Sequence, residues 1–400
     1  MSMSITDKHS AGAASATRSG GSQRKLRITI VAETFLPNIN GVTNSVLRVV
    51  ENMTQFGHEV TVIAPGPGVD NYNNSPVIRL SSFGLPGYAG IRLSRSAGEL
   101  KQAIIASQPD VLHVAAPAIL GRIALKLASE LGIPAVAIYQ TDIAGFASRY
   151  FLSALKKPLW SYVRSVHSRA ALTLAPSTAA TWDLRERGVR NVARWMRGVD
   201  LERFSPKHRN EDLRKDWAPN GEIIIGYVGR LAREKQVERL QELLEIPGVR
   251  VVVVGDGPLK KKLEKSMPSA RFVGFQSGNA LSQMYASFDL FVHTGVDETF
   301  CQSVQEALAS GVPVIAPAAG GPLDLVLHGF NGYLWNPSSS VSLKGAVVEL
   351  VRHQVKRERL ASNTRSSIES RPWVSVMREL EGHYCSLIDG LEFAYMEMSV

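Results

Sequence analysis

The chain has 400 residues, 44% hydrophobic and 20% charged, enough to bury two domain-sized cores. Its longest apolar runs, such as VRVVVVG at 249–255, are strand-length and too short to span a bilayer, and two cysteines (Cys301, Cys385) exclude a disulfide framework and point to reducing cytosol. The net charge is +9, and residues 145–215 alone hold fifteen Lys or Arg against six acids, which points to nucleic acid, anionic lipid or a phosphorylated ligand.

Residues 1–24 are small and polar with no hydrophobic centre, so they read as a disordered tail and not a signal peptide. From residue 26, LRITIVAE reads as an apolar strand, followed by the loop TFLPNINGV carrying Gly41. A helix TNSVLRVVENMTQFG ends at Gly57; then come the strand EVTVIAP, a Gly/Pro/Asn-rich loop and a helix near 97–107. The strand DVLHVAAP carries His113, a helix spans 119–131, and the strand PAVAIYQTD ends on Gln140 and Asp142. Strands apolar throughout and separated by helices predict a parallel sheet covered on both faces.

In SRYFLSALKKPLWSYVRSVHSRA (148–170), Leu152, Leu155, Leu159, Tyr162, Val163 and Val166 share a helical face. Lys156, Lys157, Arg164 and Arg169 flank it, as on an interfacial helix meeting anionic lipid. A helix packed on its own domain gives the same pattern, and FGLPGYAGIRLSR at 83–95 is a second candidate membrane-facing loop.

The polar stretch RFSPKHRNEDLRKDWAPNGE (203–222) interrupts the pattern, which restarts with IIIGYVGRL, VRVVVVGDG, ARFVGF, DLFVHTG and VPVIAP. The boundaries read as 25–205, 206–372 and a closing helical segment over 373–400 that packs back across the joint. In such sheets ligands bind outside the carboxyl ends of the strands, where every unusual residue falls. Gly229, Arg230 and Lys235 follow IIIGYV, and cations at what reads as a helix start conflict with the helix dipole unless an anion binds there. In DETFCQSVQEALASGVPVIAPAAGG (297–321), Glu298 precedes a helix and Glu306 lies within it, either as solvated surface acids or as a binding site. A Walker A loop and a complete dinucleotide fingerprint are absent, as are D-x-D and His/Cys ligand spacing, so no metal or cofactor is expected.

Glu298-x7-Glu306 followed by SGVPVIAPAAGGP, with VGRLAREK, APST, RGVD and VVVVGDG in order, resembles family 4 retaining glycosyltransferases over about residues 26–390. The resemblance implies the α/β GT-B fold, two facing Rossmann-like doubly wound domains with a cleft between them. AETFLPNINGVTNSV, HVAAPAILG, YQTDIAGFASRY and WMRGVD are similar to actinobacterial GDP-mannose-dependent α-mannosyltransferases that extend membrane glycolipids. By this resemblance Glu298 takes donor-sugar hydroxyls and Glu306 the ribose. Eight helical residues advance roughly 12 Å, enough to grip opposite ends of one ligand. The amides of Thr299, Phe300 and Cys301 are implied to meet sugar or diphosphate, Arg230 and Lys235 the diphosphate, and Gly41 the same phosphate from the other domain.

Many relatives have a histidine where this chain has Ala115, and near relatives often have one at Gln140. His113 and Asp142 are then the remaining catalytic candidates, although a lone strand histidine is also read as buried and satisfied. The implied reaction is metal-independent and retaining, with glucuronosyl-diacylglycerol preferred over a phosphatidylinositol mannoside as acceptor. The expected partners are a nucleotide-sugar donor, a lipid acceptor and an anionic membrane surface, at the cytoplasmic face of the cell membrane. A UDP-sugar enzyme (glucosyl or sulfoquinovosyl) keeps the same fold, while a nucleic-acid-binding protein leaves Glu298 and Glu306 unexplained.

Overall fold

The computed structural model describes residues 24–84, 92–94, 96–140, 156–336 and 342–390. The first half contributes β1 (Arg27–Ala32), β2 (Glu59–Pro65), β3 (Asn71–Tyr72), β4 (Ser75–Leu80), β5 (Phe83–Gly84), β6 (Arg92–Leu93), β7 (Val111–Ala115), β8 (Ala135–Ile138), β9 (Leu172–Ala175) and β10 (Val192–Arg194). Eight of these form a sheet in the order β10-β9-β8-β7-β1-β2-β4-β3, and β5 pairs separately with β6. The large sheet is parallel except for the β3–β4 hairpin. Ile28, Ile30, Val31 and Ala32 of β1 are all at most 1% exposed, the burial that a continuous apolar run demands when helices cover both faces.

The second half contributes β11 (Ile223–Val228), β12 (Val249–Val254), β13 (Arg271–Gly274), β14 (Leu290–Val292), β15 (Val314–Pro317) and β16 (Gly332–Trp335), ordered β13-β12-β11-β14-β15-β16 and parallel throughout. In each sheet the chain lays strands to one side of its first strand and then to the other. The strand order therefore reverses between β1 and β7, and again between β11 and β14. Crevices open outside the carboxyl ends at those reversals. That geometry, more than any single motif, places the site.

The polar stretch at the joint contains a helix, Glu211–Trp217, whose first amides are capped by Asn210. It is anchored by Trp217 stacked on Phe288 and by Arg214 paired with Asp289 at 3.0 Å. The helix Trp373–Ile388 returns to the first sheet, where Val376, Met377, Leu380 and Tyr384 join its core. Each such buried side chain contributes about 1.5–3 kcal/mol. His58 Nε2 meets Glu381 of this helix at 2.9 Å, and Val199 N donates to Arg371 O at 3.0 Å, fixing the return crossing.

Candidate active site

Loops after β11 and β14 carry the residues expected on the donor side. Gly229 and Arg230 follow β11 directly, and the exposed Arg230 guanidinium has no partner among the described residues. Lys235 closes a single 3-10 turn, Arg233–Lys235, rather than opening an α-helix. The helix-dipole conflict expected from the sequence does not arise at this position, because one turn has little dipole. Lys235 instead donates to Glu298 Oε1 at 2.5 Å, while Thr294 Oγ1 donates to its carbonyl at 2.6 Å. His293, just past β14, lies 3.2 Å from the same Oε1 without an aligned hydrogen bond.

Burial opposes charge on Glu298, but Lys235 and His293 outweigh it and hold the carboxyl down at about 2. Burial likewise opposes charge on His293, and Cys301 and Glu298 overcome it, lifting the imidazole to about 10. Lys235 follows the same pattern: Glu298 more than offsets its burial and keeps it above the ordinary lysine value. One carboxylate thus balances two cations at the mouth of the β11–β14 crevice.

Cys301 sits at φ +94° immediately before the helix Gln302–Ala309, a conformation costly for a side-chain-bearing residue. The amides of Thr299, Phe300 and Cys301 have no partner among the described residues, so a ligand can take them. The Phe300 ring, 3% exposed, belongs to the core, and only its backbone faces this task. Gly320 and Gly321 pack on the loop from behind, with Gly321 N donating to Glu298 O at 2.8 Å. Glu306 is half-buried; burial pushes its carboxyl up to about 7 against the pull of Tyr285, Arg203 and Gln302.

The facing wall comes from the first sheet. Gly41 begins the helix Gly41–Gln55, capped by the Asn40 side chain on Val42 N and Thr43 N. Arg197 Nη2 donates to Gln140 Oε1 at 2.7 Å, at the end of β8. Among the side chains that cross from the second half, three reach this wall: Thr299 Oγ1 donates to Gln140 O at 3.3 Å, Gln302 to Gly198 O and Gln305 to Arg197 O, both at 3.1 Å. The sugar-side loop and the Glu306 helix are therefore clasped to the opposite wall.

Residues 39–203 match the profile of Glycosyltransferase Family 4 and residues 209–367 that of Glycosyl transferases group 1. A GDP-mannose-dependent alpha-mannosyltransferase of Mycobacterium tuberculosis is 46% identical over 90% of this chain and 96% of its own. The chain belongs to the family 4 glycosyltransferases. It is an enzyme of the GT-B architecture. A Corynebacterium glutamicum protein of the same name as the mycobacterial one is 41% identical over 91% of this chain and 90% of its own. A more distant family member is a mycobacterial GDP-mannose-dependent alpha-(1-6)-phosphatidylinositol dimannoside mannosyltransferase, 26% identical over 75% of this chain and 82% of its own. The fold matches a Thermosynechococcus elongatus sucrose-phosphate synthase (TM-score 0.76, 18% identity, 92% of this chain, 100% of that one). It also matches Anabaena HepE in complex with UDP and glucose (TM-score 0.73, 20% identity, 90% and 100%).

Within this glycosyltransferase, His113 is not in the cleft. It is 1% exposed, its Nδ1 lies 2.6 Å from Tyr384 Oη, and burial pulls its pKa to about 3. A neutral imidazole anchoring the last helix cannot serve the reaction centre, which corrects the catalytic expectation for it. Asp142 lies outside the described residues, as do Leu152, Leu155 and most of the 83–95 loop.

The helix Lys156–His167 buries Val163 and Val166 in its own domain, and Tyr162 Oη donates to Ala118 O at 2.8 Å. Val163 and Val166 of its apolar face are therefore core, Leu159 and Tyr162 are half-buried, and Lys157, Arg164 and Arg169 remain exposed. Nothing is described of the Lys156 side chain. No helix among the described residues is long and apolar enough to cross a membrane.

Sequence reasoning missed His293, although its place at the end of an apolar strand was the available signal. It also missed Glu33, at the end of β1, whose Oε1 accepts from Ala118 N and Gly121 N, both at 2.8 Å. Burial raises the Glu33 carboxyl above the usual range despite those donors.

Proposed function

We propose that this enzyme transfers mannose from GDP-mannose to a membrane glycolipid, with retention at the anomeric carbon and without a metal. The observation that carries the donor is the 46% identity over 90% of the chain to an enzyme of that name, matched by cleft residues suited to a nucleotide diphosphate sugar. Glu298, held ionised by Lys235 and His293, accepts from sugar hydroxyls, and the amides of Thr299 to Cys301 donate to sugar or phosphate oxygens. Glu306 accepts from the ribose. Lys235 has three donors and spends one on Glu298, leaving two for the diphosphate beside the unpaired Arg230. Both cations then stabilise the negative charge that grows on the departing phosphate. As the C1–O bond to phosphate breaks, the acceptor oxygen bonds C1 on the same face. Its proton passes to the leaving phosphate.

A lipid acceptor is supported by the distant relative named for a phosphatidylinositol dimannoside and by the exposed cations of the Lys156–His167 helix. Glucuronosyl-diacylglycerol is the preferred acceptor, at the cytoplasmic membrane face. The test is turnover of a panel of GDP- and UDP-sugars with a lipid extract. GDP-mannose giving the dominant labelled lipid supports the reading, and a UDP-sugar giving it instead overturns the donor assignment.

A further inference from the structure

Glu33 is the first residue past β1, half-buried at the carboxyl edge of the first sheet. Its neighbour Ala32 is in register with Ala115 of β7, so the carboxyl stands where the strand order reverses and the crevice opens. Oε1 accepts from Ala118 N and Gly121 N, both at 2.8 Å, at the start of the helix Ile119–Leu131. Among the described residues Oε2 has no partner and no cation pairs with the carboxyl.

The surroundings hold this group still. A methyl on Gly121 would lie 2.7 Å from Pro117 Cβ and 2.8 Å from Val114 Cγ1, so only glycine lets the helix press so closely onto the strand end. Tyr162 Oη fixes Ala118 from its other side, donating to the carbonyl at 2.8 Å. Ala116, between strand and helix, sits at φ +49°, a strained conformation of the kind that clusters where ligands bind.

Capping the helix accounts for one oxygen of the two. A Ser or Asp in place of Ala118, whose own side chain caps nothing, would satisfy such amides locally. A glutamate reaching in from another strand brings a second oxygen, and an ionised carboxylate can accept about four hydrogen bonds in all. Burial already disfavours its charge, and an unpaired oxygen there is unfavourable until a donor arrives.

We propose that Glu33 is an acceptor-binding residue: its Oε2 accepts from a hydroxyl of the acceptor sugar and orients that sugar in the crevice of the first sheet. This rests on the glycosyl-acceptor reading above. The donor is served from the second sheet, where Arg230, Lys235 and Glu298 follow β11 and β14. A sugar hydroxyl fits because it donates one hydrogen bond and carries no charge. A carboxylate or phosphate is repelled by Glu33, so an acidic group on the acceptor points away from it.

Glu33→Gln separates this role from capping. The amide oxygen still accepts from Ala118 N and Gly121 N, while the free position changes from acceptor to donor. With glucuronosyl-diacylglycerol, or whichever glycolipid the wild type uses, KM for the acceptor is expected to rise about tenfold or more, the scale of a hydrogen bond to a charged group. KM for the donor, the thermal midpoint and the slow release of GDP from GDP-mannose in water without acceptor are expected to stay unchanged. Glu33→Ala removes the cap as well and is expected to lower the thermal midpoint too.

An unchanged acceptor KM in Glu33→Gln overturns the proposal and leaves Glu33 a cap. So does an equal loss in hydrolysis and in transfer, which a displaced helix produces. A wild type that uses no GDP-mannose refutes the donor reading alone. Calorimetry with a short-chain glucuronosyl-diacylglycerol then decides for Glu33: weaker binding by Glu33→Gln keeps the site, and equal binding refutes it.

Discussion

Glu298 holds Lys235 at 2.5 Å and lies 3.2 Å from His293, so removing its charge strands two cations in a half-closed cleft. Glu298→Ala is expected to abolish turnover and also to cost about 2–3 kcal/mol of stability, because unpaired buried charge is expensive. A variant with normal turnover removes Glu298 from the site, and one with unchanged urea unfolding removes the charge cluster. The pH dependence has a definite sign. Glu298 contributes stability above 4.5, its unfolded value, and loses it as the pH falls toward about 2. His293 contributes below 6.5 and loses its contribution as the pH rises toward about 10. The empty enzyme should therefore lose stability between pH 6.5 and 10, and His293→Asn should lose less; equal slopes for the two proteins would refute this. On the proposed function Glu306 acts on binding instead. Ribose hydroxyls need its ionised form, so GDP affinity should fall as pH drops through about 7, whereas Glu306→Gln should show a flat profile in calorimetry across that range.

At the scale of elements, two glycines make opposite predictions. A methyl on Gly321 would sit 1.9 Å from Phe300 O, a backbone atom that cannot move without shifting the sugar-side loop. Gly321→Ala should cost several kcal/mol of stability, in the range of overpacked and strained sites. A methyl on Gly41 meets only Arg197 Nη1, at 3.9 Å, and its φ is not in the left-handed region. Gly41→Ala should leave thermal unfolding nearly unchanged yet raise KM, because the ligand has to approach that backbone closely. Normal kinetics with Ala at 41 would mean that no ligand comes near it.

The same two loops show what the sequence could carry. The alternation of apolar strand and helix is local, so β1, β2, β7, β8, β11, β12 and β15 are legible directly. His113 lies within its strand and His293 just past the end of one, a local difference that hints at their separate fates without naming their partners. The first is enclosed by a helix 271 residues later through Tyr384, the second by Glu298 across a loop. The left-handed Cys301 is equally silent in sequence, because the loop before it is packed by Gly320 and Gly321 from beyond the next strand, against Glu298 and Phe300. Glu33 reads only as the end of the apolar strand LRITIVAE. Its half-used carboxyl appears only when Ala118 and Gly121, 85 and 88 residues later, are brought to it.

For the whole molecule, the cations on and just after the Lys156–His167 helix are the candidate membrane contact, and with Val163 and Val166 buried the contact proposed for them is electrostatic. Each cation near an anionic surface contributes about 1 kcal/mol, so Lys156, Lys157, Arg164 and Arg169 together suffice for reversible docking. Flotation with anionic liposomes should be strong at low salt and lost as screening shortens to about 10 Å at 0.1 M. Lys156→Glu with Lys157→Glu should reduce it. A double variant that floats like the wild type would place the contact elsewhere.

The proposed function makes one central claim for the whole molecule: transfer with retention, driven by protein cations at the leaving diphosphate. Proton NMR of the glycolipid made from GDP-mannose in the presence of EDTA tests it most directly. The account predicts an α-mannoside formed at the same rate with and without the chelator. A β-mannoside, or arrest by EDTA reversed with magnesium, would contradict it.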